Sequence, residues 1–285
     1  MGLVLIVLGS TDLDPGVTTM NQISLIHRAI QSLPEIDLSD PNTFTPLPFP
    51  SSLRTPKERF AIHPNRDTVK RFRYMGRSLF QDLLAAVEDT DFLDGTTTLY
   101  LYGPAGTGKS HLLAALVCHL VRQGERVVFI PDCNALLTDL KGVIRDALLF
   151  AFHGDPHLCD EITRANDVDD LFRFVDQRAR QTICFVVDQR NALDSDGPAD
   201  LMSVDKKAAF QTINRMRAFQ RYIFSASANE RSDLHRDKQT QIKTLEYHAG
   251  LNKVWSHLFN HLLSCFPGGG SVLVLSSFHL TSRTF

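Results

Sequence analysis

Residues 103–110 read Gly-Pro-Ala-Gly-Thr-Gly-Lys-Ser, and this order of residue types suits one task, holding a polyphosphate. Gly103, Gly106 and Gly108 carry no Cβ, so the backbone can curl with successive N–H groups turned inward onto an anion. Lys109 supplies a full positive charge for the β- and γ-phosphates, and the Ser110 hydroxyl suits Mg²⁺. Pro104, Ala105 and Thr107 occupy the variable places of the loop, and His111 follows directly. Such a loop also needs a carboxylate at the end of another strand to hold the ion through water. Asp188 fits, because it ends the apolar run 182–187.

The residue after Asp188 is Gln189. A carboxamide cannot take up a proton as a base, although it can orient a water molecule. Lys109, Asp188 and Gln189 together therefore suggest slow triphosphate hydrolysis. Ser227 and Asn229 follow a further apolar run, where Asn229 could sense the terminal phosphate; a polar strand end leading into a loop gives the same pattern. Arg190, Arg217 and Arg231 are candidates for a charge-stabilising arginine, and Lys206, Lys207, Arg215 and Arg217 for contacts to a phosphate backbone. Each also reads as an ordinary surface cation. Asp194 and Asp196 fall in a loop with no assigned role.

These residues require particular elements. The run 97–102, Thr-Thr-Leu-Tyr-Leu-Tyr, is β-branched and aromatic and predicts a strand entering the loop. Leu112, Leu113, Leu116, Val117 and Leu120 predict a helix leaving it, which stops at Gly124. Further strands are expected at 127–130, 182–187 and 222–226, and a fifth at 271–275. Helices are expected at 77–87, 135–152, 167–179, 205–219 and 251–264, and a polar loop at 230–245. Strands that alternate with helices and are apolar on both faces indicate a parallel sheet covered on both sides. The expected fold is α/β, a three-layer P-loop NTPase with a mostly parallel sheet.

The chain has 285 residues, 43% hydrophobic and 22% charged, with a net charge of −2. It can bury a substantial core, and no global basic field points to nucleic acid or an anionic membrane. Five dispersed cysteines without a Cys-x-x-Cys pair read as reduced intracellular thiols, and no His/Cys spacing suits structural zinc. The opening run Leu3–Leu8 is too short to span a bilayer and lacks the basic start of a signal peptide.

Six prolines within 33–56 suggest that residues 1–56 form a Pro-rich, poorly ordered arm. Residues 57–96 read as a basic, helical lead-in. Its cations between Lys57 and Arg73, with Phe60, Phe72 and Tyr74 interleaved, suit either phosphate contact or a solvated helix. The core then spans 97–250, and 251–285 form a C-terminal helix and tail.

Residues 101–113, 128–133, 185–189, 191–193 and 223–230 together resemble the P-loop ATPase domain of crinkler-type effector proteins. The Asp188-Gln189 ending and the Ser225-Ala226-Ser227-Ala228-Asn229 stretch are the more specific elements. The resemblance covers a little over half of the chain and implies an AAA-like or STAND-like ATPase core using ATP and Mg²⁺. In such relatives the core accompanies an N-terminal header and a C-terminal nuclease-like domain, acting in host nuclei with DNA as a suggested target. Residues 1–96 show no Leu-Phe-Leu-Ala-Lys header, and the stretch after position 250 is too short for a nuclease domain. The expected function is ATP–Mg²⁺ binding with slow hydrolysis. The rival readings are a nucleotide-gated interaction module, a truncated and inactive relative, and an ATPase acting on DNA. ATP is preferred over GTP because no Asn-Lys-x-Asp motif occurs.

Overall fold

A computed structural model describes residues 15–53, 60, 69–88, 97–103, 106–178, 183–193, 203–216, 221–226 and 242–246. The sheet that positions the phosphate loop has five strands, β3 (Thr97–Tyr102), β4 (Arg126–Ile130), β5 (Ile183–Val187), β6 (Arg221–Ser225) and β7 (Ile242–Glu246). Their spatial order is β4-β5-β6-β3-β7, and every pairing is parallel. Strand β5 is buried at every residue, as expected for a parallel sheet with helices on both faces. Tyr100 on β3 and Phe224 on β6 are register partners, and their rings stack at 4.5 Å. The fold is the three-layer α/β arrangement of the P-loop NTPases.

The chain passes from β3 through α3 (Lys109–Arg122) to β4 at the far edge of the sheet. It then returns through β5 and β6 until β6 lies beside β3. The loops after β5, β6 and β3 therefore leave from the carboxyl ends of three adjacent strands. In an open α/β sheet this is where a ligand crevice forms.

Before β3 lie α1 (Pro15–Gln31), β1 (Phe44–Pro48), β2 (Arg71–Met75) and α2 (Leu79–Glu88). The expected Pro-rich arm is thus a packed part of the protein between residues 15 and 53. Ile23, Ile26 and Ile30 on one face of α1 are buried, as are Leu47 and Phe49. The prolines are accommodated because β1 pairs on one side only, with antiparallel β2, so missing N–H groups at Pro46 and Pro48 cost the ladder little. The lead-in is also not wholly helical. Residues 71–75 alternate outward Arg71, Arg73 and Met75 with buried Phe72 and Tyr74, which is a strand pattern.

The N-terminal elements enclose α3. Gln31 Nε2 donates to Val121 O at 2.9 Å, Arg122 Nη1 to Pro34 O at 2.8 Å, and Cys118 Sγ to Pro48 O at 3.2 Å. As a result α3 is buried nearly all round, from Leu112 to Val121. It ends at Gly124, whose positive φ of 85° closes the helix.

Residues 135–152, expected as one helix, form α4 (Ala135–Thr138) and α5 (Leu140–Phe152). Asp139 makes the break. It leaves helical geometry, and its carboxylate accepts from Gly142 N at 2.8 Å as the cap of α5. Helix α6 (Pro156–Arg164) was not expected; Asp155 caps it and Pro156 opens its first turn. Helices α7 (Val168–Arg178) and α8 (Val204–Met216) fall where periodicity places them. Strand β7 replaces the end of the expected loop at 230–245, while 251–264 and 271–275 lie outside the described residues. Among the described residues no helix is long and apolar enough to cross a membrane.

Candidate functional site

The loop leaves β3 at Gly103 and enters α3 at Lys109. Gly106 and Gly108 have φ values of 79° and 88°, a region that side-chain-bearing residues rarely adopt. The amino end of α3 adds its positive dipole to the same place, and its first turn holds no acidic residue to oppose it. Pro104 and Ala105 lie outside the described residues.

Lys109 is only 7% exposed, and its Nζ donates to the carbonyl of Gly103 at 2.7 Å, closing the loop on itself. Burial pulls the Lys109 ammonium down to about 8, and the charge of Asp188 acts in the opposite direction. The two residues named from sequence therefore come into electrostatic reach of each other. Ser110 is half-buried in the first turn of α3. The His111 ring is packed between Phe60 and Phe72, at 4.8 and 5.8 Å, and burial with the charge of Arg77 lowers its pKa. It belongs to the packing behind the loop.

Asp188 is 1% exposed. Its N–H donates to Ile130 O at 2.8 Å, tying the end of β5 to β4. Ser225 Oγ donates to Asp188 Oδ1, a contact fixed by register, since Val187 pairs with Phe224 one step earlier. Gln189 N–H also donates to Asp188 Oδ1, at 3.0 Å, with Ser225 Oγ at 3.3 Å. Oδ1 is thus held by two donors, which orients the carboxylate.

Gln189 is the single non-glycine residue with positive φ among the described residues, at 58°. A side chain held in this region costs on the order of 1 kcal/mol and is characteristic of functional turns. Strand β6 lies between the loop strand and the acidic strand, and a carboxylate directly after Asp188 could serve there as a base. Here the half-buried residue is a carboxamide.

Other candidates are placed differently. Arg190 is buried, bonded to Asn214 Oδ1 at 3.3 Å, and lies over the rings of Phe210 and Phe224 at 5.3 and 5.4 Å. It anchors the turn after β5 to α8 and does not reach outward. Arg215 is bonded to Asp169 at 2.5 Å and covers the Phe172 ring at 4.5 Å, so it joins α8 to α7. Ser227, Asn229, Asp194, Asp196, Arg217 and Arg231 lie outside the described residues. Sequence reading missed Ser225, visible as the strand's last polar residue once register is known. It also missed Arg77, whose Nη1 donates to Thr107 O at 2.5 Å. The buried thiols of Cys159 and Cys184 are pushed up to about 11 and about 12, chiefly by desolvation, which makes them inert.

Residues 54–149 match the family described as IstB-like ATP binding protein, about a third of the chain. The matched model is IstB-like, and the crinkler-type assignment finds no support. No curated protein matches the sequence. Similar solved structures include AMPPCP-bound DnaA from Aquifex aeolicus, at 13% identity and a TM-score of 0.34. A structure described as a DNA replication initiation factor shows 14% identity and a TM-score of 0.31. Each match covers 65% of this chain and about half of the other. The chain thus matches the IstB-like ATP-binding family over the third of its length that contains the phosphate loop.

Proposed function

We propose that the chain binds ATP with Mg²⁺ and hydrolyses it slowly. The observation that carries this reading is the buried Lys109 at the mouth of a glycine loop, within electrostatic reach of the buried carboxylate of Asp188. The loop amides and Lys109 would hold the phosphates. The donor set suits Mg²⁺, a hard cation that takes oxygen ligands: the Ser110 hydroxyl, and Asp188 acting through water with Oδ1 already oriented by Ser225 and Gln189 N–H. The ion, when bound, would offset charge on the phosphate oxygens. Gln189 positions the attacking water without accepting its proton. The match to the IstB-like ATP-binding family supports ATP as the nucleotide.

The test is Lys109→Ala. ATP–Mg²⁺ at one hundred times its Kd should stabilise the native chain by about 2.7 kcal/mol, read as a rise in melting temperature. The variant should lose most of this rise, and an unchanged rise would show the site to be wrongly assigned. Gln189 favours a second reading, a nucleotide-gated interaction module that binds ATP and does not turn it over. Phosphate release measured over hours on the native chain separates the two.

A further inference from the structure

The segment that joins β2 to α2 touches the phosphate loop through one side chain. Arg77 Nη1 donates to the Thr107 carbonyl at 2.5 Å. The guanidinium also lies across Gly108 so closely that a Cβ there would fall 2.4 Å from Nη2. Arg77 is held from both sides by main chain. Its N–H donates to Leu38 O at 3.0 Å, and its carbonyl accepts from Phe80 N at 2.8 Å at the start of α2. The preceding Gly76 donates to Thr43 O at 3.0 Å, and any Cβ at that position would lie 2.0 Å from Asp40 O. The backbone that carries the arginine is therefore fixed before any ligand arrives.

The stereochemistry of one peptide bond gives this contact a consequence. In a trans linkage the C=O and N–H point in opposite directions. The Thr107 carbonyl is drawn toward Arg77, so the Gly108 N–H is turned away from it, the orientation an inward-facing amide requires. Donation from a cation to that carbonyl also polarises the peptide and makes its N–H a stronger donor. Thr107 is flanked by glycines 106 and 108, whose backbone freedom the guanidinium contact restrains. Glycine-rich backbone flips readily.

We propose that Arg77 is a positioning residue of the phosphate loop. By holding the Thr107 carbonyl outward it presets the Gly108 amide for a triphosphate and links anion affinity to the β1–β2 pair. This rests on the reading of the loop as a nucleotide site. It differs from a bland packing role in a measurable way, because it acts on the polyphosphate and not on the nucleoside.

The experiment is calorimetric titration of Mg–ATP and of inorganic tripolyphosphate into the native chain, Arg77→Met, Arg77→Lys and Lys109→Ala, with the ligand-free melting temperature of each. Arg77→Met is expected to lose about tenfold in affinity, the scale of one charge-assisted hydrogen bond, by the same factor for both ligands. Arg77→Lys, which keeps the charge and one donor, should lose less. Unchanged affinities in Arg77→Met overturn the proposal, as does a loss for ATP that tripolyphosphate does not share. A lower melting temperature with native affinities assigns Arg77 to packing alone and also overturns it. Should the methionine variant not fold, the lysine variant decides by the same comparison. If the native chain binds neither ligand, or Lys109→Ala binds both as well as the native chain does, the nucleotide reading itself falls and takes the proposal with it.

Discussion

Lys109 answers to two opposed forces. Burial favours the neutral amine and brings its pKa to about 8, whereas a bound triphosphate favours the ammonium and would raise it again. The ligand then binds more tightly to the protonated form. Affinity for ATP should be level below about pH 8 and fall above it, by up to about tenfold per pH unit. Titrations across this range would show it, and Lys109→Arg, whose charge does not titrate, should remove the slope. Gln189 sets the other limit. Gln189→Glu places a carboxylate at the same turn, and a missing base is typically worth about a hundredfold or more. Steady-state phosphate release should therefore rise at least about tenfold, and an unchanged rate would mean that more than the base is lacking. Both residues were legible in the sequence, because glycine spacing and a charge at the end of an apolar run are local patterns. Ser225 and Arg77 were not. Each acts across the fold, one through the pairing of β5 with β6 and the other through a contact spanning 30 positions.

Helix α1 meets α5 through a pair of imidazoles. The His27 ring stacks on His153 at 3.5 Å, and its Nε2 is bonded to Phe150 O at 2.8 Å. Burial first, and then the nearby His153, lower its pKa from 6.5 to about 4, against a smaller opposite effect of the carbonyl. The folded protein thus holds His27 neutral where the unfolded chain would protonate it. The contribution to stability is complete above about pH 6.5 and is lost as pH falls toward 4, by up to about 3 kcal/mol. Urea melts at successive pH values should show this decline, and His27→Gln, which keeps a donor for Phe150 O, should reduce it. Elements around the site were readable where both faces are buried: β3 matches its expected bounds, and β5 and α3 match theirs closely. Helix α1 was hidden by the prolines that follow it, although Ile23, Ile26 and Ile30 keep helical spacing. Strand β7 was hidden by its mixed composition, Ile-Lys-Thr-Leu-Glu, which suits an edge strand and reads as loop when taken alone.

The described buried residues form one continuous core, running from Ile23 on α1 through Leu113 and Leu116 on α3 to Val186 and Ile223 in the sheet. Among the described residues, no polar layer separates the N-terminal elements from the parallel sheet. Chemical unfolding should therefore show one transition, with far-UV circular dichroism and hydrogen-exchange protection of α1 and β5 lost together. An early, separate loss at α1 would show it to be an appendage. The α/β class and sheet type were legible from alternation and apolar runs, whereas the capping role of residues 15–53 depends on long-range packing that no short pattern records. The enclosure of α3 also affects how the molecule can be divided. The sequence match begins at residue 54, yet α1 and β1, which cover the outward side of α3, lie before it. A fragment starting at that boundary would present Ala, Leu and Val side chains of the phosphate-loop helix to water, a greasy patch that favours self-association over solubility. The smallest unit that keeps the phosphate-loop helix covered therefore starts upstream of residue 54.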